Sequence, residues 1–182
     1  MSTTKGQSRP HSPSTCFEQG RDGFRTPYYF REAPAAPDGA PSPAPLLVET
    51  ARVVRFNEAD PLNIVWHGHY ASYFEDGRIA FGKRYGLGYE TMSKAGFVAP
   101  IKHLVVDYEA PLRFGQECRI AAALFWSDAA RLNFEYEIRD MTGRLTTRGC
   151  TIQLFLNFSG VLQYAKPAFY EEFCLLWRKG VL

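Results

Sequence analysis

From Leu46 to the C-terminus, apolar positions recur in two rhythms, and their order predicts the elements. Leu47 to Phe56 (LVETARVVRF) is rich in β-branched residues and predicts a first strand. The stretch NEADPLN, Asn57 to Asn63, carries Pro and Asn turn signals and predicts a loop. From Ile64 to Tyr85, Trp66, Tyr70, Tyr73, Phe74, Gly77, Phe81 and Tyr85 return at spacings of three and four, the period of one helix face. Gly77, Ala80 and Gly82 lie inside this helix. The two glycines lower its propensity, so it needs a neighbour packed closely enough to offset the loss. A sheet wrapped tightly around the helix would supply that neighbour.

The rest of the chain switches mostly to a period of two. A short helix is predicted near Tyr89 to Lys94, then strands over Val98 to Tyr108, Ile120 to Trp126, Leu132 to Arg139 and Ile152 to Phe158. In the third of these, Leu132, Phe134, Tyr136 and Ile138 alternate with Asn133, Glu135, Glu137 and Arg139, which predicts one wet face. Thr142-Gly143 supplies a turn, and an amphipathic stretch, Ala168 to Lys179, follows Pro167 as a closing helix. Strand, long helix, then a run of strands argues for an α+β fold with a mainly antiparallel sheet.

Composition divides the chain. Residues 1–45 hold eight of the twelve prolines, with five basic and four acidic residues and no apolar period, so they are expected to be a disordered Pro-rich tail. Its one apolar cluster is Phe24 to Phe30. Residues 46–182 carry 22 of the 27 aromatic residues and are expected to form one domain. A net charge of +2 gives no broad positive field, so a nucleic-acid partner is not expected. Apolar runs are far shorter than the roughly 20 residues of a membrane-spanning helix. The N-terminus has no apolar stretch of the kind a secretory signal needs. Cys16, Cys118, Cys150 and Cys174 contain no C-x-x-C pair, which fits reduced thiols in a cytoplasmic protein.

The candidate chemistry concentrates in FNEADPLNIVWHGHY, Phe56 to Tyr70. Asp60 lies in the loop, seven residues before His67 at the start of the helix. The first-turn N–H groups of a helix lack internal partners and carry partial positive charge, so they can stabilise an oxyanion. A carboxylate beside them can attack a carbonyl or activate water. Each residue also has a plainer reading: Asp60 as a turn former, Glu75 as an i,i+3 ion-pair partner of Arg78. His67 and His69 are two apart and point to different helix faces. Adding His103 and Glu58 produces no recognised zinc spacing, so no metal is expected. Hydrolase-elbow, nucleotide-loop and Rossmann motifs are absent from the sequence.

The segment FNEADPLNIVWHGHYASYFEDGR, continued by VVDYEAPLRFGQECRI, resembles the 4-hydroxybenzoyl-CoA thioesterase family, the hotdog-fold acyl-CoA and acyl-carrier-protein thioesterases that include Tol-Pal-associated members. The resemblance covers roughly residues 48–160, and D-P-x-x-I-V-W is its most specific part. It implies a hotdog fold, an antiparallel sheet wrapped around a long central helix, and hydrolysis of acyl-CoA or acyl-carrier-protein thioesters with no cofactor. Asp60 matches the family's catalytic carboxylate, as nucleophile or general base. The amides of His67 and Gly68 match its oxyanion site, and the His67 imidazole would orient water or the carbonyl. Ile64, Val65, Trp66, Tyr70 and Phe74 would line the acyl group, and Glu75 is the nearest counterpart of the helix glutamate used by other hotdog thioesterases. Two departures stand out: Trp66-His67 replaces a Tyr-His pair, and Asn63 stands where many relatives have glycine. The resemblance further implies a homodimer or homotetramer joined edge to edge, with the sites at the subunit interface. The alternatives are a hotdog dehydratase or hydratase, whose loop spacing Asp60 and His67 do not match, and a non-catalytic acyl-thioester-binding protein.

Overall fold

A computed structural model describes residues 41–182. Most of the Pro-rich segment, with the Phe24 to Phe30 cluster, lies outside the described residues.

Five antiparallel strands form the main sheet: β1 (Leu46–Val53), β3 (Ile101–Tyr108), β4 (Glu117–Phe125), β5 (Arg131–Asp140) and β6 (Leu145–Leu154), in the order β1-β4-β5-β6-β3. Against it lies the helix α1 (Tyr70–Tyr85), followed by α2 (Tyr89–Lys94). The register sets the inner face. Thr50 opposes Ile120, which opposes Ile138, and Val48 opposes Ala122, which opposes Tyr136. These inner residues meet the α1 face of Tyr73, Phe74 and Phe81, all fully buried, in one continuous core. This is the hotdog arrangement.

The glycines inside α1 now have a reason. A Cβ on Gly77 would sit 3.1 Å from the Ala122 Cβ and 3.3 Å from the Ile120 Cγ2, so the helix rides directly on β4. At Gly82 a Cβ would lie 2.7 Å from the Gly88 Cα, where the chain folds back towards α2. Gly86 ends α1 in the left-handed conformation, φ 75°, its amide donating to the Gly82 carbonyl.

Several boundaries differ from the sequence pattern. The first strand stops at Val53, because the Gln116 amide that would return the Val54 amide's bond donates to the Arg113 carbonyl instead, and the chain turns into a 3-10 turn at Phe56–Glu58. The long helix begins at Tyr70 rather than Ile64. Val65 and Trp66 instead donate to the carbonyls of Leu112 and Glu58, both at 2.8 Å, and His67–His69 form a 3-10 turn. Pro100, which has no N–H to give a ladder, separates β2 (Phe97–Val98) from β3. Past β6 the break at Phe155 leaves β7 (Leu156–Asn157), which pairs with β2 in a separate two-stranded sheet. The predicted wet face of β5 is also corrected: Asn133, Glu135 and Glu137 are 3%, 3% and 7% exposed. Glu137 is shielded by its ion pairs to Arg139 and Arg148.

The closing helix α3 (Ala168–Arg178) lays Tyr170, Phe173 and Trp177 against the end of the core, with Trp177 edge-on to Trp126 at 5.2 Å. Trp177 Nε1 donates to the Ala44 carbonyl at 2.8 Å, which fixes the approach to β1. Among the described residues no helix is long and apolar enough to cross a membrane.

Candidate active site

Asp60 sits where the stem of a lasso, closed by backbone pairing, opens into its loop. The Trp66 amide donates to the Glu58 carbonyl, Ala59 and Val65 form an antiparallel bridge, and the Asp60 amide donates to the Ile64 carbonyl at 2.8 Å. Inside the lasso, Asp60 Oδ1 accepts the Leu62 amide at 2.8 Å and the Ile64 amide at 3.5 Å. The turn former and the candidate catalyst are therefore the same side chain, since these bonds engage one carboxylate oxygen and fix the other's direction. Asn63, the departure from glycine, adopts φ 59°. Asparagine is among the few side chains that visit this region routinely, so the loop keeps its path without glycine.

The lasso leads straight into the 3-10 turn carrying His67 and Gly68, ahead of α1. N–H groups at such a start have no acceptor within the helix and gather its positive end. The His67 carbonyl accepts the Tyr108 hydroxyl at 2.9 Å, so β3 holds this turn in place. Arg113 donates to the Asn63 carbonyl at 3.3 Å from the opposite side. The Trp66 ring lies over Gly68: a Cβ there would come within 1.9 Å of the indole, which only glycine avoids. The same ring meets His67 at 4.8 Å and His69 edge-on at 5.6 Å.

The fold thus brings together Asp60, Ile64, Trp66, His67 and Gly68, with Trp66, His67 and Gly68 exposed and Asp60 and Ile64 half-buried. Val65, Tyr70 and Phe74, expected to line the acyl group, point into the core. Phe74 has no exposed surface: it stacks on Tyr136 at 4.3 Å with 9° between planes, and Gly149 closes over it. Glu75 is eight residues beyond His67, about 12 Å along a helix at 1.5 Å per residue. Its carboxylate pairs with Arg78 and accepts the Tyr89 hydroxyl, so its plainer reading holds. His103 lies on β3, and among the described residues no three His, Cys, Asp or Glu side chains cluster closely enough to hold a metal. Burial pushes the Cys118 thiol up to about 12 and the Cys150 thiol up to about 11, which leaves both poor nucleophiles at neutral pH.

One group beside the site, weighed in the sequence only as a zinc ligand, has a different role. Glu58, 3% exposed, accepts the Arg55 amide at 2.8 Å, the Tyr73 hydroxyl at 2.9 Å and the Arg52 guanidinium, which also reaches Asp76 on α1. Burial pushes its carboxyl up, but these bonds and the Arg52 charge outweigh burial and hold it below the ordinary value. Burial and Glu58 together push the Tyr73 phenol up, so it remains a donor. The available signal was Arg52 itself: by β1 alternation it shares the inner face with Val48 and Thr50, where a cation requires a partner.

The sequence profile of the thioesterase-like superfamily matches residues 54–173, spanning the lasso, α1 and all of the main sheet except β1. The chain belongs to this superfamily. A Bacillus subtilis (strain 168) relative named "Putative acyl-CoA thioesterase YneP" is 28% identical over 104 residues, 57% of this chain and 75% of that protein. The Arabidopsis thaliana chloroplastic acyl-acyl carrier protein thioesterase ATL3 is 29% identical over 85 residues, 47% of this chain and 45% of that one. In three dimensions, the DHNA-CoA thioesterase of Staphylococcus aureus superposes with a TM-score of 0.64 at 24% identity, covering 74% of this chain and 95% of that one. At that identity the likeness is one of fold. The hotdog thioesterase reading of the sequence is borne out in fold, family and reaction class.

Proposed function

We propose that this thioesterase-superfamily chain hydrolyses acyl-CoA or acyl-carrier-protein thioesters in the cytoplasm, with Asp60 as the reacting carboxylate. The supporting observation is the lasso, which holds Asp60 rigidly beside the first turn leading into α1. With the thioester carbonyl oxygen on the His67 and Gly68 amides, negative charge developing on that oxygen meets the helix's positive end. Asp60 then acts in one of two ways. It attacks the carbonyl carbon, expelling the thiolate and leaving a mixed anhydride that water opens, or it takes a proton from a water that attacks in its place. Both routes yield the free acid and the thiol, and both put the oxyanion on the same two amides.

The site as described is open on one side. Ile64 and Trp66 offer apolar surface, and β3, an edge strand, leaves Ile101 and Leu104 exposed. We infer that a second copy pairs along this edge, as a dimer or as half of a tetramer, and completes the acyl wall. Free-thiol release from a panel of acyl-CoA and acyl-carrier-protein thioesters tests the function. Turnover above the uncatalysed rate supports it and ranks the carriers. Binding without turnover on every thioester would replace it with the non-catalytic acyl-binding alternative.

A further inference from the structure

Glu58 cannot be a second catalytic carboxylate. One oxygen faces Arg52, and the other accepts both the Arg55 amide and the Tyr73 hydroxyl, with the residue 3% exposed. Its place in the chain gives it a different use. Its carboxylate joins three elements: the 3-10 turn in which it lies, β1 through Arg52, and α1 through Tyr73. Arg52 adds a second tie to α1 at Asp76 and stacks over the Tyr73 ring at 4.1 Å. Its carbonyl forms the stem of the lasso by accepting the Trp66 amide at 2.8 Å. Asp60 is two residues beyond one side of that stem, and His67 is one residue beyond the other. The orientation of residue 58 is therefore transmitted to the carboxylate and to the oxyanion amides together.

We propose that Glu58 is a positioning residue: its buried carboxylate, gripped by Arg52 and Tyr73, sets where the lasso presents Asp60 to the thioester. The proposal rests on Asp60 being the reacting carboxylate. Displacing a reacting group by about 1 Å costs on the order of 100-fold, so a small tilt of residue 58 is felt in turnover even when the fold survives. Replacing the carboxylate with an amide removes its charge but nearly preserves its volume, so Glu58→Gln loosens the grip and leaves the core filled.

The test compares wild type, Glu58→Gln, Asp60→Asn and the double variant by kcat, KM, melting temperature and amide hydrogen exchange of residues 60–66. In Glu58→Gln, kcat is expected to fall about 10- to 100-fold with KM within about 2-fold, and exchange of the lasso amides to rise while that of β4 and β5 stays unchanged. In the Asp60→Asn background the added loss is expected to shrink to about 2-fold or less, because a positioning residue has nothing left to position. An equal added loss in both backgrounds would show a merely structural Glu58 and overturn the proposal. Unchanged kcat, or lasso amides as protected as in wild type, would overturn it too. Should Glu58→Gln fail to fold, Tyr73→Phe, which deletes one donor to the same carboxylate, is expected to move kcat in the same direction; no movement overturns the proposal. Full activity in Asp60→Asn would instead sink the Asp60 reading, a result separable from all of these.

Discussion

Phe74 decides whether the aromatic stripe of α1 is core or ligand wall, and Phe74→Ala separates the two. The ring is fully buried, stacks 4.3 Å from Tyr136 with 9° between planes, and sits beneath Gly149, so its removal leaves a cavity that the surrounding sheet cannot readily close. Buried Phe→Ala replacements cost about 3–5 kcal/mol. For a domain of this size each kcal/mol lowers the melting temperature by about 2–4 °C, which gives a fall of about 6–20 °C. The assay is thermal unfolding at fixed protein concentration, since the midpoint of any chain that associates with itself depends on concentration. Steady-state kinetics well below the transition accompany it. A core residue predicts the full loss of stability with KM and acyl-chain ranking nearly unchanged. A loss below about 3 °C together with a raised KM or a reordered substrate ranking would refute this reasoning and return Phe74 to the acyl wall.

Three further outcomes follow from the same geometry. Because its carboxyl lies below the ordinary value of 4.5 in the folded chain, Glu58 contributes stability that is fully present above that pH and is lost as pH falls through the folded value. Urea unfolding of wild type between about pH 6 and pH 3 should therefore lose more stability than that of Glu58→Gln, and parallel losses would contradict the assignment. Asn63→Val places a β-branched side chain at φ 59° and should cost about 1–2 kcal/mol, whereas Asn63→Gly should be neutral within about 0.5 kcal/mol, both read from denaturant midpoints. Gly77→Val drives methyl groups into a gap of 3.1 Å to Ala122 and should destabilise by about 1–3 kcal/mol, also read by denaturant unfolding, despite its better helix propensity.

The sequence carries the fold wherever period and punctuation agree. Tyr89–Lys94 is an α-helix as predicted, the closing helix starts directly after Pro167, and Gly77 and Gly82 forecast the close approach of sheet and turn to α1. It misleads where a tertiary partner claims the backbone. The predicted helix began at Ile64 and Trp66 fits its spacing, yet Leu112 and Glu58 take the Val65 and Trp66 amides, so the helix starts six residues late. Asn133, Glu135 and Glu137 alternate as a wet face and are buried. The lasso was legible as a turn around Asp60, and the resemblance supplied its chemical meaning. Periodicity carried no hint that Glu58 anchors its stem. That anchor depends on contacts between β1, the 3-10 turn and α1, and only the inward-facing Arg52 hinted that it was needed.

The most direct test of the central claim is single-turnover thioester cleavage by wild type and Asp60→Asn, on whichever acyl-CoA or acyl-carrier-protein thioester wild type turns over best, with substrate affinity measured alongside. The account predicts a rate constant at least 100-fold lower in Asp60→Asn, as expected for loss of a reacting group, with affinity nearly unchanged. Cleavage within a few-fold of wild type would contradict it and move the chemistry to another residue of the site.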